Sequence, residues 1–163
     1  MGIEGNANVS CGVIVSRGEP RIEEWEALFL ERENGKFCFP SGHWEVGEDL
    51  PACAAREFCE ETGYEVALLG TVGIYTLEPK TGGVPSLGVV YYGVLGEKVG
   101  EPEGGLCWLG TKDMLLMHAL RHGLFLPWLH LLGFFESCAR YPAFLPLDIF
   151  SSGNLPRNER EIV

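Results

Sequence analysis

The chain has 163 residues, a net charge of −11, and 46% hydrophobic against 21% charged residues. That balance describes one globular domain, expected to span 1–163, rather than a disordered polymer. The acidity argues against a general nucleic-acid binder, which needs basic patches to neutralise phosphates, yet leaves an acidic small substrate open if a bound cation inverts the local field.

Val9–Ser16 is short and β-branched and runs into the turn residues Arg17-Gly18-Glu19-Pro20, so it reads as a buried strand. Glu26–Glu31 is a second apolar run, with the turn signal Asn34-Gly35 behind it. Lys36–Phe39 reads as a short strand that enters Pro40-Ser41-Gly42. From Gly42 to Tyr64 a Gly-rich loop becomes an amphipathic helix crowded with carboxylates. Asp49 or Leu50 takes the cap position, Pro51 stands near the first helical site, and Gly63 closes the helix. Leu50, Ala54, Ala55 and Phe58 form its apolar stripe, with Arg56, Glu57, Glu60 and Glu61 outside it.

Tyr64–Leu77 is β-rich, and Gly70 and Gly73 mark a turn or bulges within it. A Pro/Gly loop over Glu78–Ser86 precedes Leu87–Leu95, the strongest strand signal in the chain. An acidic loop with Glu97, Glu101 and Glu103 leads to the short strand Leu106–Leu109, which carries Trp108. Thr111 caps a helix over Lys112–His122, and Pro127–Tyr141 forms another. The Pro/Gly/Ser-rich tail from about residue 142 is ordered only if it docks, on this chain or on a partner. Strands alternating with a few helices, without a strict βαβ repeat, read as a mixed α/β sandwich.

Six cysteines stand at 11, 38, 53, 59, 107 and 138 without a CxxC or a zinc-ligand spacing. They read as reduced, mostly buried thiols of a cytoplasmic protein. Cys59 has no evident His partner and reads as packing. The start Met-Gly-Ile-Glu-Gly-Asn has neither a basic nor an apolar signal region. Leu124–Phe135 is the most apolar stretch, but Pro127, His130 and Gly133 interrupt it, so no membrane partner is expected. The same stretch and the tail are candidates for a homodimer contact, although helix packing explains them equally well.

Glu57, Glu60 and Glu61 fall at i, i+3 and i+4, with Cβ atoms roughly 5–6 Å apart, and like charges at that spacing destabilise a helix. A hard, oxygen-seeking cation such as Mg²⁺ or Mn²⁺ reverses the sign of that interaction.

Gly42, five residues, Glu48, seven residues, Arg56-Glu57-Phe58, one residue, Glu60-Glu61, one residue, Gly63-Tyr64 resembles the Nudix box of the Nudix hydrolases. Every specified position fits; Ser41 replaces a glycine that many members carry just before it. The resemblance implies an α/β/α sandwich with a mixed central sheet and the box helix on one face. It implies hydrolysis of a nucleoside diphosphate derivative by attack of water on phosphorus, where positioning and charge neutralisation dominate. It also implies that Glu57 and Glu61 bind Mg²⁺ (Mn²⁺ as the alternative), with Glu60 assisting and the Ser41 carbonyl as a further ligand. Arg56 would orient the carboxylates, Glu48 included, while Gly42 and Gly63 permit the backbone its shape.

The resemblance implies that the general base is a box glutamate or a loop glutamate, for which Glu101 and Glu103 are the candidates. His43 is a candidate phosphate contact and Trp44 a candidate lining of the substrate mouth. Phe37, Tyr75 and Trp108 are candidates to stack a base, although each residue of this kind is more often structural. His118, His122 and His130 read as structural or exposed. Pro79 lies 15 residues beyond Tyr64, an offset similar to that of ADP-ribose pyrophosphatases; the compact single-domain layout is equally similar to MutT-type enzymes. The contrasting expectation is a catalytically inactive Nudix-fold domain that senses nucleotides or binds a partner.

Overall fold

The computed structural model describes residues 8–17, 26–33, 35, 37–77, 86–110 and 112–113. Strands β1 (Asn8–Arg17), β2 (Glu26–Glu31), β3 (Phe37–Cys38) and β4 (Ser41–His43) precede helix α1 (Leu50–Thr62). Strands β5 (Tyr64–Leu77), β6 (Ser86–Lys98) and β7 (Gly105–Gly110) follow it. The sheet order is β3-β2-β1-β6-β5, with β4 paired to β1 and β7 paired to β2. β1 and β6 are parallel, and the other described pairings are antiparallel. The mixed sheet expected from the sequence is therefore present.

Residues 11–15 of β1 are buried without interruption. A strand flanked on both edges and covered on both faces needs a continuous apolar run rather than an alternating one, and Cys11-Gly12-Val13-Ile14-Val15 supplies it. Cys11, Val13 and Val15 pack with Val89 and Tyr91 of β6 against Cys53, Ala54 and Phe58 of α1. That contact fixes the helix on one face of the sheet. Burial of a Phe58-sized side chain stabilises by about 1.5–3 kcal/mol.

Both ends of α1 are set by local chemistry. The Asp49 carboxylate accepts the Ala52 N–H at 2.8 Å, and Pro51 sits in the first turn, where a missing N–H leaves nothing unpaired. At the other end, Gly63 adopts a left-handed φ of 72° and donates its N–H to the Cys59 carbonyl. A Cβ there would lie 2.5 Å from the Gly100 carbonyl oxygen, so glycine is required twice over.

The buried side of α1 is rotated from the stripe read off the sequence. Cys53, Ala54, Phe58, Glu61 and Thr62 are buried, whereas Leu50 and Ala55 are only half-buried. Glu61, expected outside the stripe, is turned inward by its position on the helix. β5 is one long strand whose register against β6 shifts between Leu68 and Gly70 and again between Thr71 and Gly73. The two glycines thus mark bulges rather than a turn.

The helices expected over 112–122 and 127–141, the tail from 142, Pro79, Cys138, the three later histidines and the side chain of Tyr75 lie outside the described residues. No helix among the described residues is long and apolar enough to cross a membrane.

Candidate active site

β4 pairs with the first half of β1, Gly42 opposite Cys11 and His43 opposite Ser10. This lays the loop from Pro40 to Trp44 alongside α1. Across that junction Arg56 gathers the box. Its Nε and Nη2 donate to the two carboxylate oxygens of Glu48 at 3.0 and 2.7 Å, in a fork. Its Nη1 donates to Glu57 Oε1 at 2.9 Å and to Glu60 Oε2 at 3.1 Å. Nη2 also donates to the His43 carbonyl at 3.0 Å. One guanidinium thus fixes three carboxylates and the loop backbone, a role that its planar set of donors fits and an ammonium does not. The fork holds the Glu48 carboxyl down to about 2.

The other oxygen of Glu57 lies against Gly42. A Cβ built on Gly42 would fall 1.9 Å from Glu57 Oε2. The glycine here provides space, not an unusual backbone angle.

Glu61 is 7% exposed. Its Oε1 accepts from Arg32 Nη2 at 2.5 Å and its Oε2 from the Ser41 N–H at 2.7 Å. Burial pushes the Glu61 carboxyl up from its ordinary value, against the opposing pull of Arg32 and the Ser41 N–H. Arg32 was not singled out in the sequence. It stands directly after β2, and its Nε donates to Cys38 Sγ at 3.0 Å, across the β2–β3 pair. The available signal was slight: an arginine between Glu31 and Glu33, just before a turn.

A cleft of about 520 Å³ is lined by Leu30, Glu31, Arg32, Glu33, Glu61, Glu103 and Gly104. The Glu103 N–H donates to the Glu61 carbonyl at 3.0 Å, which ties the β6–β7 loop to the last turn of α1. Glu101 turns away: its carboxylate pairs with Lys98 at 2.8 Å and its side chain is 85% exposed. Of the two loop glutamates, Glu103 is the one at the cleft.

Phe37, His43, Trp44 and Trp108 are not among the described residues that line this cleft. His43 reaches the site through its backbone carbonyl. Trp44 Nε1 donates to the Glu48 carbonyl at 2.8 Å and braces the loop. Phe37 faces Glu31 across the β2–β3 pair. The Arg17 guanidinium lies 4.3 Å from the centre of the Trp108 ring. Cys59 is only half-buried.

Among the described residues, no three His, Cys, Asp or Glu side chains already converge as a metal-ligand group. Arg56 bridges Glu57 and Glu60, while Arg32 and the Ser41 N–H hold Glu61. The donors themselves still fit a hard cation. They are carboxylate oxygens on adjoining turns of one helix, and Gly42 leaves open the space that the Glu57 carboxylate occupies.

The mixed sheet, helix α1 laid across it and the box on that helix define a Nudix-type domain. The family model described as NUDIX domain matches residues 7–129. The chain belongs to the Nudix family. Its fold is similar to that of a NUDIX hydrolase from Nitrosomonas europaea, with a TM-score of 0.73 and 20% identity over 91% of this chain and 98% of that one. An Ap4A hydrolase from C. elegans, solved as a binary complex, gives a TM-score of 0.60 and 19% identity over 82% of this chain and 98% of that one. The NUDIX domain of Shewanella oneidensis NrtR, complexed with ADP ribose, gives 0.58 and 14% over 82% and 88%. At these identities the likeness is one of fold.

Proposed function

We propose that the chain hydrolyses a diphosphate linkage in a nucleoside diphosphate derivative, by attack of water on phosphorus, with Mg²⁺ as cofactor and Mn²⁺ as a substitute. The observation that carries this reading is the hub at Arg56, which holds Glu48, Glu57 and Glu60 in one hydrogen-bonded set beside the Gly42 loop. Glu57, Glu60 and Glu61, with the Ser41 carbonyl, are the residues that would hold the cation. When bound, it neutralises phosphate oxygens and lowers the pKa of water. Arg56 orients the carboxylates, and Gly42 and Gly63 shape the backbone that carries them. Glu103, at the cleft, takes the proton from the attacking water, with a box glutamate as the competing base.

The substrate is ADP-ribose, a nucleotide sugar or a (deoxy)nucleoside triphosphate. Support comes from the fold neighbours described as an Ap4A hydrolase and as an ADP-ribose complex. A panel of these compounds with Mg²⁺ tests the reading, with release of a mononucleotide or pyrophosphate as the readout. Turnover on at least one member is expected, and its loss in Glu57→Gln. Binding without turnover across the panel would instead identify a sensing domain.

A further inference from the structure

Among the described residues that line the cleft are four glutamates, Glu31, Glu33, Glu61 and Glu103, and one cationic residue, Arg32. By itself such a surface repels an anionic diphosphate. Arg32 is also committed: its Nη2 is paired with Glu61, which is 7% exposed. A buried carboxylate left alone is costly, so Glu61 needs a cationic partner even before any substrate arrives. The Arg32 side chain is itself 43% exposed and borders the cleft, so it has room to turn outward.

A divalent ion on Glu61 would compete with Arg32 for the same carboxylate and repel it. We propose that Arg32 is a displaceable counter-ion. It neutralises Glu61 in the metal-free protein, and cation binding at Glu61 releases it into the cleft to take a phosphate oxygen of the substrate. The guanidinium fork suits a phosphate as well as it suits a carboxylate. The exchange makes metal loading and substrate binding reinforce each other, since each supplies what the other removes. This inference rests on the diphosphate-hydrolase reading above.

The test is Mn²⁺ titration of the substrate-free protein, followed by electron paramagnetic resonance of the free ion, alongside steady-state kinetics. Arg32→Gln removes the competitor, so it is expected to bind Mn²⁺ about threefold or more tightly than wild type. The same variant is expected to raise KM about tenfold or more, with a smaller change in kcat, because a charge-assisted contact to substrate is gone. A merely structural arginine would leave Mn²⁺ affinity unchanged or weaken it, and that result overturns the proposal. If Arg32→Gln gives no cooperative melting transition, Arg32→Lys replaces it. That variant keeps the charge without the fork, and a smaller shift in the same direction is expected, with no shift overturning the proposal. A wild type that neither binds Mn²⁺ nor turns over any diphosphate overturns the parent reading and this one together. A wild type that does both, with unaltered Mn²⁺ affinity in the variants, overturns this one alone.

Discussion

Gly42 and Glu57 occupy one space: a methyl group on the glycine would sit 1.9 Å from the glutamate's Oε2. The atom in the way is the end of a flexible side chain, so the carboxylate moves and the backbone does not. Gly42→Ala is therefore expected to fold, with stability changed by no more than about 1 kcal/mol. Its kcat is expected to fall about 100-fold if Glu57 holds the cation as proposed, since a misplacement of about an ångström costs that much. A melt paired with an assay checks this. A large loss of melting temperature at preserved kcat would contradict it.

Arg56 is predicted to be irreplaceable by lysine. An ammonium retains the charge but cannot fork to Glu48 while also reaching Glu57, Glu60 and the His43 carbonyl. Arg56→Lys should lose about 100-fold in kcat/KM. Adding Glu48→Gln to it should cost far less than Glu48→Gln costs alone, because the shared contact is already gone. A double-mutant cycle measures that coupling.

The same fork sets an acid limit on stability. Arg56 holds the folded-state pKa of Glu48 at about 2, below the ordinary value of 4.5. A depressed carboxylate pKa contributes stability that is present above the unfolded value and is lost as the pH falls through the folded one. The melting temperature of the metal-free protein should therefore drop between pH 4.5 and pH 2, and Glu48→Gln should flatten the drop over that window. Thermal melts across the window, in wild type and variant, supply the comparison.

Tyr91 makes a contrasting case in the core. Its hydroxyl is buried and has no hydrogen-bond partner among the described residues, and burial pushes its pKa up. Removing an unpaired buried hydroxyl relieves a desolvation cost. Tyr91→Phe is expected to be neutral or to stabilise by up to about 1 kcal/mol. Phe58→Ala, in the same cluster, should cost about 3–5 kcal/mol. Urea unfolding of both variants checks the pair, and a destabilised Tyr91→Phe would point to a partner for the hydroxyl.

Features governed by near neighbours in the chain were legible in the sequence. Asp49, Pro51 and Gly63 announce the ends of α1 because caps act within one turn. The unbroken apolar run of β1 announces a central strand. Arg32 was not legible, since its partner Glu61 lies 29 residues away and meets it only after the sheet has assembled. The burial of Glu61 was hidden for a related reason: its charge suggested an outer face, and only the Arg32 pairing and the Ser41 N–H make an inner one tolerable. The choice between Glu101 and Glu103 depends on a loop whose course is set by contacts with the end of α1, which spacing cannot reveal.

Those contacts are made by main chain. Gly63 presents its carbonyl to the N–H groups of Val99 and Gly100, and Glu61 presents its own to Glu103. Among the described residues, the loop bearing the candidate base is thus clamped to the box helix by main-chain hydrogen bonds. Its side chains are free to be exchanged while the distance between loop and helix stays fixed. Such a clamp lets the chemistry that the loop brings to the cleft diverge without unsettling Glu61 on the helix.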